Sequence, residues 1–147
     1  AAGLTVNKYN IESLKEHLTE IAEENITENM LTPTLEIDSV IKFNEINQRT
    51  ITILKKLSPF GPTNMKPIFV AQNVSVSGIP RIVGKNHLKF RAMQNKIVIS
   101  AIGWKLANLY EMLISNRPLN IAFVIEENKY NGMKEIQLNI KDIKYAD

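Results

Sequence analysis

Apolar residues recur at helical spacing in the first part of the chain and at alternating spacing after residue 67. Leu4-Thr5-Val6 reads as the end of a short strand. From Asn10, the residues Ile11, Leu14, Leu18, Ile21 and Ala22 share one helix face, with Asn10 as the N-cap. Glu12 and Glu16 lie near the positive end of that helix's dipole. The helix reads as a packing element with a solvated acidic outer face and no chemistry. Thr32-Pro33 ends the pattern, and Leu35 and Ile37 alternate with Glu36 and Asp38 as in a half-buried strand. A second helix is predicted over Asn47–Leu57, with Thr50, Ile53, Leu54 and Leu57 on one face, although its Thr-Ile-Thr-Ile centre is β-branched. Pro59, Gly61, Pro62 and Pro67 then exclude a helix or central strand. They mark a structured linker, with Phe60 expected to dock between two modules.

Beyond Pro67 the pattern is that of strands. Ile68 to Val76 forms a long first strand, interrupted at Gly78 and Pro80 and extended by Arg81-Ile82-Val83 before a Gly84-Lys85-Asn86 turn. His87 to Met93 alternates strictly, Gln94-Asn95 turns, and Ile97 to Ile102 is a third strand. Leu106, Leu109, Tyr110 and Leu113 predict a helix from Lys105 to about Ser115, ended by Asn116-Arg117-Pro118. Ile121, Phe123 and Ile125 alternate in a fourth strand, Asn131-Gly132 signals a turn, and Ile136, Leu138 and Ile140 alternate in a fifth. Three strands, a helix and two strands is the order of an OB-fold. The expected class is therefore α+β, a five-stranded OB-type β-barrel with a helix between strands three and four. A small α/β segment and a Pro/Gly-rich linker precede it.

Composition adds exclusions. The 147 residues are 44% hydrophobic and 22% charged, ordinary for a globular chain. They include no cysteine, which removes disulfides, thiolate metal sites and thiol nucleophiles. No apolar run approaches the ~20 residues that span a bilayer, and no signal-peptide pattern opens the chain, so no membrane partner and a cytoplasmic location are expected. The chain begins Ala1-Ala2-Gly3 without Met, which suggests a piece cut from a longer protein.

Charge changes the picture more. The net charge of +3 averages over three unlike segments. Residues 1–45 carry nine acids and three bases, residues 46–110 ten bases and no acid, and residues 111–147 six acids and five bases. An average 65-residue window would hold about six or seven acids. A solvated basic face is one reading of the acid-free stretch; a phosphate-binding surface is the other.

On the second strand Leu88, Phe90 and Ala92 face one way and His87, Lys89 and Arg91 the other, the surface by which OB-folds hold oligonucleotides. Lysine also protects edge strands, but Arg and His are unusual in that role, which favours binding. Arg81 and Lys85 flank the turn between strands one and two, and Lys129, Tyr130 and Lys134 the turn between four and five. Tyr130 can stack on a base or lie flat on the barrel rim. Trp104, closing strand three, is expected to pack in the core rather than stack on a base. Catalysis finds little support. His17 and His87 are far apart, and the neighbours in Glu23-Glu24 and Glu126-Glu127 do not share a face. No metal-ligand spacing and no phosphate-loop or nucleophile-elbow motif occurs.

Several strings in one order carry a family resemblance: Ala1-Ala2-Gly3-Leu4-Thr5, Leu35-Glu36-Ile37-Asp38, Leu57-Ser58-Pro59-Phe60-Gly61-Pro62, Gly84-Lys85-Asn86-His87-Leu88-Lys89, and Glu126-Glu127-Asn128-Lys129-Tyr130-Asn131-Gly132 followed by Gln137-Leu138. The chain resembles the C-terminal part of the RecJ-type single-stranded-DNA-specific exonucleases. That family joins a catalytic DHH domain, a DHHA1 domain and an OB-type DNA-binding domain. The resemblance implies that residues 1–45 end a DHHA1-like domain, 46–66 form a helix and linker, and 67–147 form the OB domain. It implies single-stranded DNA as partner; that the contacts fall on Arg81, Lys85, His87, Lys89, Arg91, Lys129, Tyr130 and Lys134 is the expectation from the OB-type fold. Single-stranded-DNA-binding protein or other repair factors would be further partners. The implied manganese or magnesium belongs to a catalytic domain absent from this chain, which should hold DNA in repair and recombination without cutting it. An OB module docking an acidic protein is the alternative. The chain departs from the family pattern at Thr63, where Gly is usual, at Met65, where Pro is usual, and at Tyr130, where Trp is common. Thr63 takes a positive φ only at a cost, so its turn is expected to differ.

Overall fold

Strict alternation makes one face of each strand apolar, and five such strands bury those faces by closing on themselves. The computed structural model describes residues 3–130 and 132–147, apart from the side chains of Lys129, Tyr130 and Met133. The strands are β1 (Ser39–Val40), β2 (Phe69–Val76), β3 (Arg81–Val83), β4 (His87–Gln94), β5 (Ile97–Gly103), β6 (Leu119–Tyr130) and β7 (Met133–Tyr145). Their order is β1-β2-β6-β7-β5-β4-β3, and a further β2–β4 pairing closes β2, β6, β7, β5 and β4 into a barrel. β5 and β7 run parallel, as do β1 and β2, and the other pairs are antiparallel. This is the predicted OB-type α+β architecture.

Compact packing divides the chain into residues 1–35 and residues 36–147. The first unit holds α1 (Ile11–Asn25) and α2 (Glu28–Leu31). Asn10 precedes α1 without a side-chain cap; Asn7 instead accepts the Tyr9 N–H through Oδ1 at 3.1 Å, one turn earlier. None of its described residues is buried, and Ile11, Leu18 and Ile21 on the apolar face stay half exposed.

In the second unit, residues 36–66 pack with the barrel. β1 adds in parallel to β2, Asp38 Oδ2 accepts the Ile68 N–H at 2.8 Å, and the Phe43 N–H donates to Gln94 Oε1 at 2.8 Å. Phe43 and Ile46 are buried in the core beside Phe123, Leu88, Phe90, Ile121 and Leu138. α3 (Gln48–Lys56) is capped by Asn47, whose Oδ1 accepts the Arg49 and Thr50 N–H groups, and its Ile51 is buried. The linker closes a tight turn through paired Gly61–Asn64 backbone bonds. Asn64 Nδ2 donates to the Leu57 and Pro59 carbonyls, and Thr63 does not adopt a positive φ. Phe60, half buried, lines a cleft between α3 and β6 with Ile51, Leu54 and Ile125.

Lys55 Nζ lies 2.8 Å from Glu127 Oε2 and ties α3 to β6. This hydrogen bond holds the Glu127 carboxyl below its ordinary value of 4.5 against partial desolvation, with help from the Lys134 charge. The contribution to stability is therefore full above the ordinary value and fades as pH falls through the lowered one. Thermal melts of wild type and Glu127→Gln should differ most above pH 4.5 and converge as pH falls below it. A gap that stays constant as pH falls would contradict the coupling.

The helix predicted over 105–115 is shorter. Lys105 has φ +61°, which breaks the helix at its start; a single 3₁₀ turn, Ala107–Leu109, leads into α4 (Tyr110–Ile114). Leu113 of α4 is buried in the core.

Candidate nucleic-acid interface

Leu88, Phe90 and Ala92 of β4 point into the core, so Lys89 and Arg91 stand exposed on the outer barrel face. Gly84, at φ +60°, provides the turn that folds β3 back on β4 and sets Arg81 directly opposite Lys89. On the other side Ser100 pairs with Arg91 and Ile102 with Lys89. Like charges directly opposite each other on a sheet repel, so Arg81 and Lys89 together oppose folding slightly unless an anion lies between them. Among the described residues the ion pairs are Lys55–Glu127 and Lys66–Glu126, both with their acid on β6. They neutralise two bases of the acid-free stretch and leave Arg81, Lys85, Lys89 and Arg91 without an acidic partner. The basic strip ends toward β7, where Ser100 Oγ donates to Glu135 Oε1 at 2.7 Å.

The other candidates divide. Lys85 is exposed in the β3–β4 turn. His87 is half buried: its Nδ1 accepts the Lys105 N–H at 3.0 Å, which puts the ring proton on Nε2 and makes the ring a strut as much as a contact. Lys134 is exposed at the start of β7, at the opposite end of the outer face from His87. The backbones of Lys129 and Tyr130 complete the β6–β7 hairpin, but their side chains lie outside the described residues. The strip thus unites Arg81, Lys89 and Arg91, with Lys85 and His87 at one end.

Trp104 corrects the sequence reading: it is 56% exposed, not in the core. Parity along β5 gives the direction of the residue after it. Ile99, Ala101 and Gly103 are inward, so Ser100, Ile102 and the position after the strand's last residue have outward parity, although Ile102 is itself covered. That parity was available once Phe90 had been paired with Ala101.

Among the described residues no group of three or more His, Asp or Glu side chains could hold a metal ion, and no helix is long and apolar enough to cross a membrane.

Comparison with known proteins agrees with the barrel fold. The family model described as RecJ OB domain matches residues 37–142. The single-stranded-DNA-specific exonuclease RecJ of Bacillus subtilis is 29% identical over 148 residues, spanning 100% of this chain and 19% of that protein. Its counterpart in Haemophilus influenzae is 22% identical over 151 residues, spanning 100% of this chain and 26% of that protein. The crystal structure of RecJ in complex with Mn2+ from Thermus thermophilus shares the fold at a TM-score of 0.74 and 17% identity, over 99% of this chain and 20% of that one. The chain spans between about a fifth and a quarter of the length of these relatives.

Proposed function

The chain belongs to the RecJ OB domain family, and from that premise we propose that its outer β3–β4 face binds single-stranded DNA. In the parent protein this face would hold the strand so that its five-prime end reaches the divalent metals of a catalytic domain elsewhere, for exonuclease action in DNA repair and recombination. On this reading residues 1–45 are the end of a DHHA1-like domain, although residues 36–45 pack with the barrel unit. The observation that carries the reading is the exposed Arg81–Lys89 cross-strand pair with Arg91 at the next outward position of β4, three cations with no ion-pair partner among the described residues. A sheet keeps such a repulsive cluster at a cost, and polyanion binding with counterion release gives it a use.

Fluorescence anisotropy with a labelled single-stranded oligonucleotide, at low and at physiological salt, tests the proposal. Binding that weakens steeply with salt and shows little sequence preference is expected. No binding at micromolar protein, with an acidic polypeptide bound instead, would point to protein docking. The purified chain is also expected to release no nucleotides when manganese or magnesium is added. Metal-dependent release would contradict a catalytic centre located elsewhere.

A further inference from the structure

We infer that Trp104 is a nucleobase-stacking platform at the end of the basic strip, a site that rests on the proposed single-strand binding and extends it. Most large exposed apolar residues of the second unit are aliphatic, among them Ile79, Ile82 and Met65, whereas Trp104 offers a wide flat ring. The ring is not adrift. His87 packs against it with centroids 4.8 Å apart at 69°, and the same imidazole is fixed by the Lys105 N–H on its Nδ1. Gly84 lets the β3–β4 turn close on that imidazole, since a Cβ there would stand 3.3 Å from His87 Cδ2. An exposed indole braced by a strut that is itself hydrogen-bonded is organised before any ligand arrives, so stacking on it forfeits little side-chain entropy.

Charge complementarity selects the occupant. Lys105 follows Trp104 in the chain and is exposed, and Lys85 is exposed in the turn that leads to His87. Lys89, opposite Arg81, lies one alternate position beyond His87 along the strip. Alternate residues on a strand are about 7 Å apart. A single strand following the cations with its phosphates can therefore set an unstacked base on Trp104. Every base has such a face, so the site would be tolerant of sequence.

Trp104 is the only tryptophan in the chain, so its emission reports on this site alone. Titrating the whole chain with oligothymidylate should quench that emission with the same midpoint as anisotropy of the labelled strand. Trp104→Ala should weaken binding by roughly 5- to 150-fold and leave the salt slope unchanged, and Trp104→Phe should recover most of the loss. Wild type should bind an abasic strand about as weakly as Trp104→Ala binds oligothymidylate. Salt-sensitive anisotropy with unchanged emission, and Trp104→Ala binding as tightly as wild type, would overturn the stacking site while leaving the basic strip in place. No binding in either readout would overturn both.

Discussion

Replacing Lys89 and Arg91 together with Ala is expected to weaken single-stranded DNA binding by roughly 10- to 100-fold at low salt and to flatten the salt slope by about 1.4. Each phosphate neutralised on a single strand adds about 0.7 to that slope, and these two side chains are placed for two phosphates. Both are exposed, while their neighbours Leu88, Phe90 and Ala92 hold β4 in the core, so the barrel has no reason to change. Stability should move the other way. Removing Lys89 relieves its repulsion with Arg81 across the β3–β4 pair, so the melting temperature should stay level or rise slightly. Lower affinity with undiminished stability is the signature of residues kept for a ligand. Anisotropy at several salt concentrations together with a thermal melt checks both parts. An unchanged slope would move the binding face elsewhere.

Phe123→Ala is expected to cost about 3–5 kcal/mol of unfolding free energy, a large share of the 5–15 kcal/mol typical of a domain. Phe123 is 0% exposed and meets Phe43 edge-on at 6.4 Å and Phe69 at 6.5 Å. Truncation would empty the place where β6, β2 and the segment ahead of α3 meet, and the surrounding strands are held by their ladders and can close only part of the void. Phe43→Ala should destabilise comparably, because Phe43 is 1% exposed in the same cluster. Urea unfolding of both variants is the measurement. A loss under about 1 kcal/mol for Phe43→Ala would show that residues 36–46 are not anchored in the barrel core.

The barrel was legible because its central strands obey period two: Leu88, Phe90 and Ala92 on β4 and Ile121, Phe123 and Ile125 on β6 all lie inside. The extent of α3 was legible from spacing, but not its buried face: Ile51 enters the core, whereas Ile53 and Leu57 of the predicted face stay exposed. Residues 36–46 were harder to place. Leu35-Glu36-Ile37-Asp38 alternates like a strand, yet only Ser39–Val40 pairs, and Phe43 and Ile46 enter the core from a non-repeating segment that no period marks. The β6–β7 hairpin runs well beyond the predicted strand ends because Glu126, Glu127 and Asn128 sit where the ladder continues past the core and nothing apolar enforces alternation. The helix after β5 was overestimated, since Leu106, Leu109 and Leu113 keep helical spacing while Lys105 turns left-handed. Of the candidate site, the outward bases of β4 followed from alternation alone. Trp104 did not, because a large aromatic at a strand end resembles a core residue until the register of the neighbouring strand is known.

The most direct test of the binding face is a backbone amide NMR titration of the whole chain with oligothymidylate. At 16.7 kDa the protein is within easy reach of the method. The largest shifts are expected at Arg81, Lys85, Lys89, Arg91 and Trp104, on the outer β3–β4 strip and its end. Shifts confined to α3, the linker at Phe60 or the apolar face of α1, with the strip unmoved, would contradict the assignment of that strip as the surface that holds the strand.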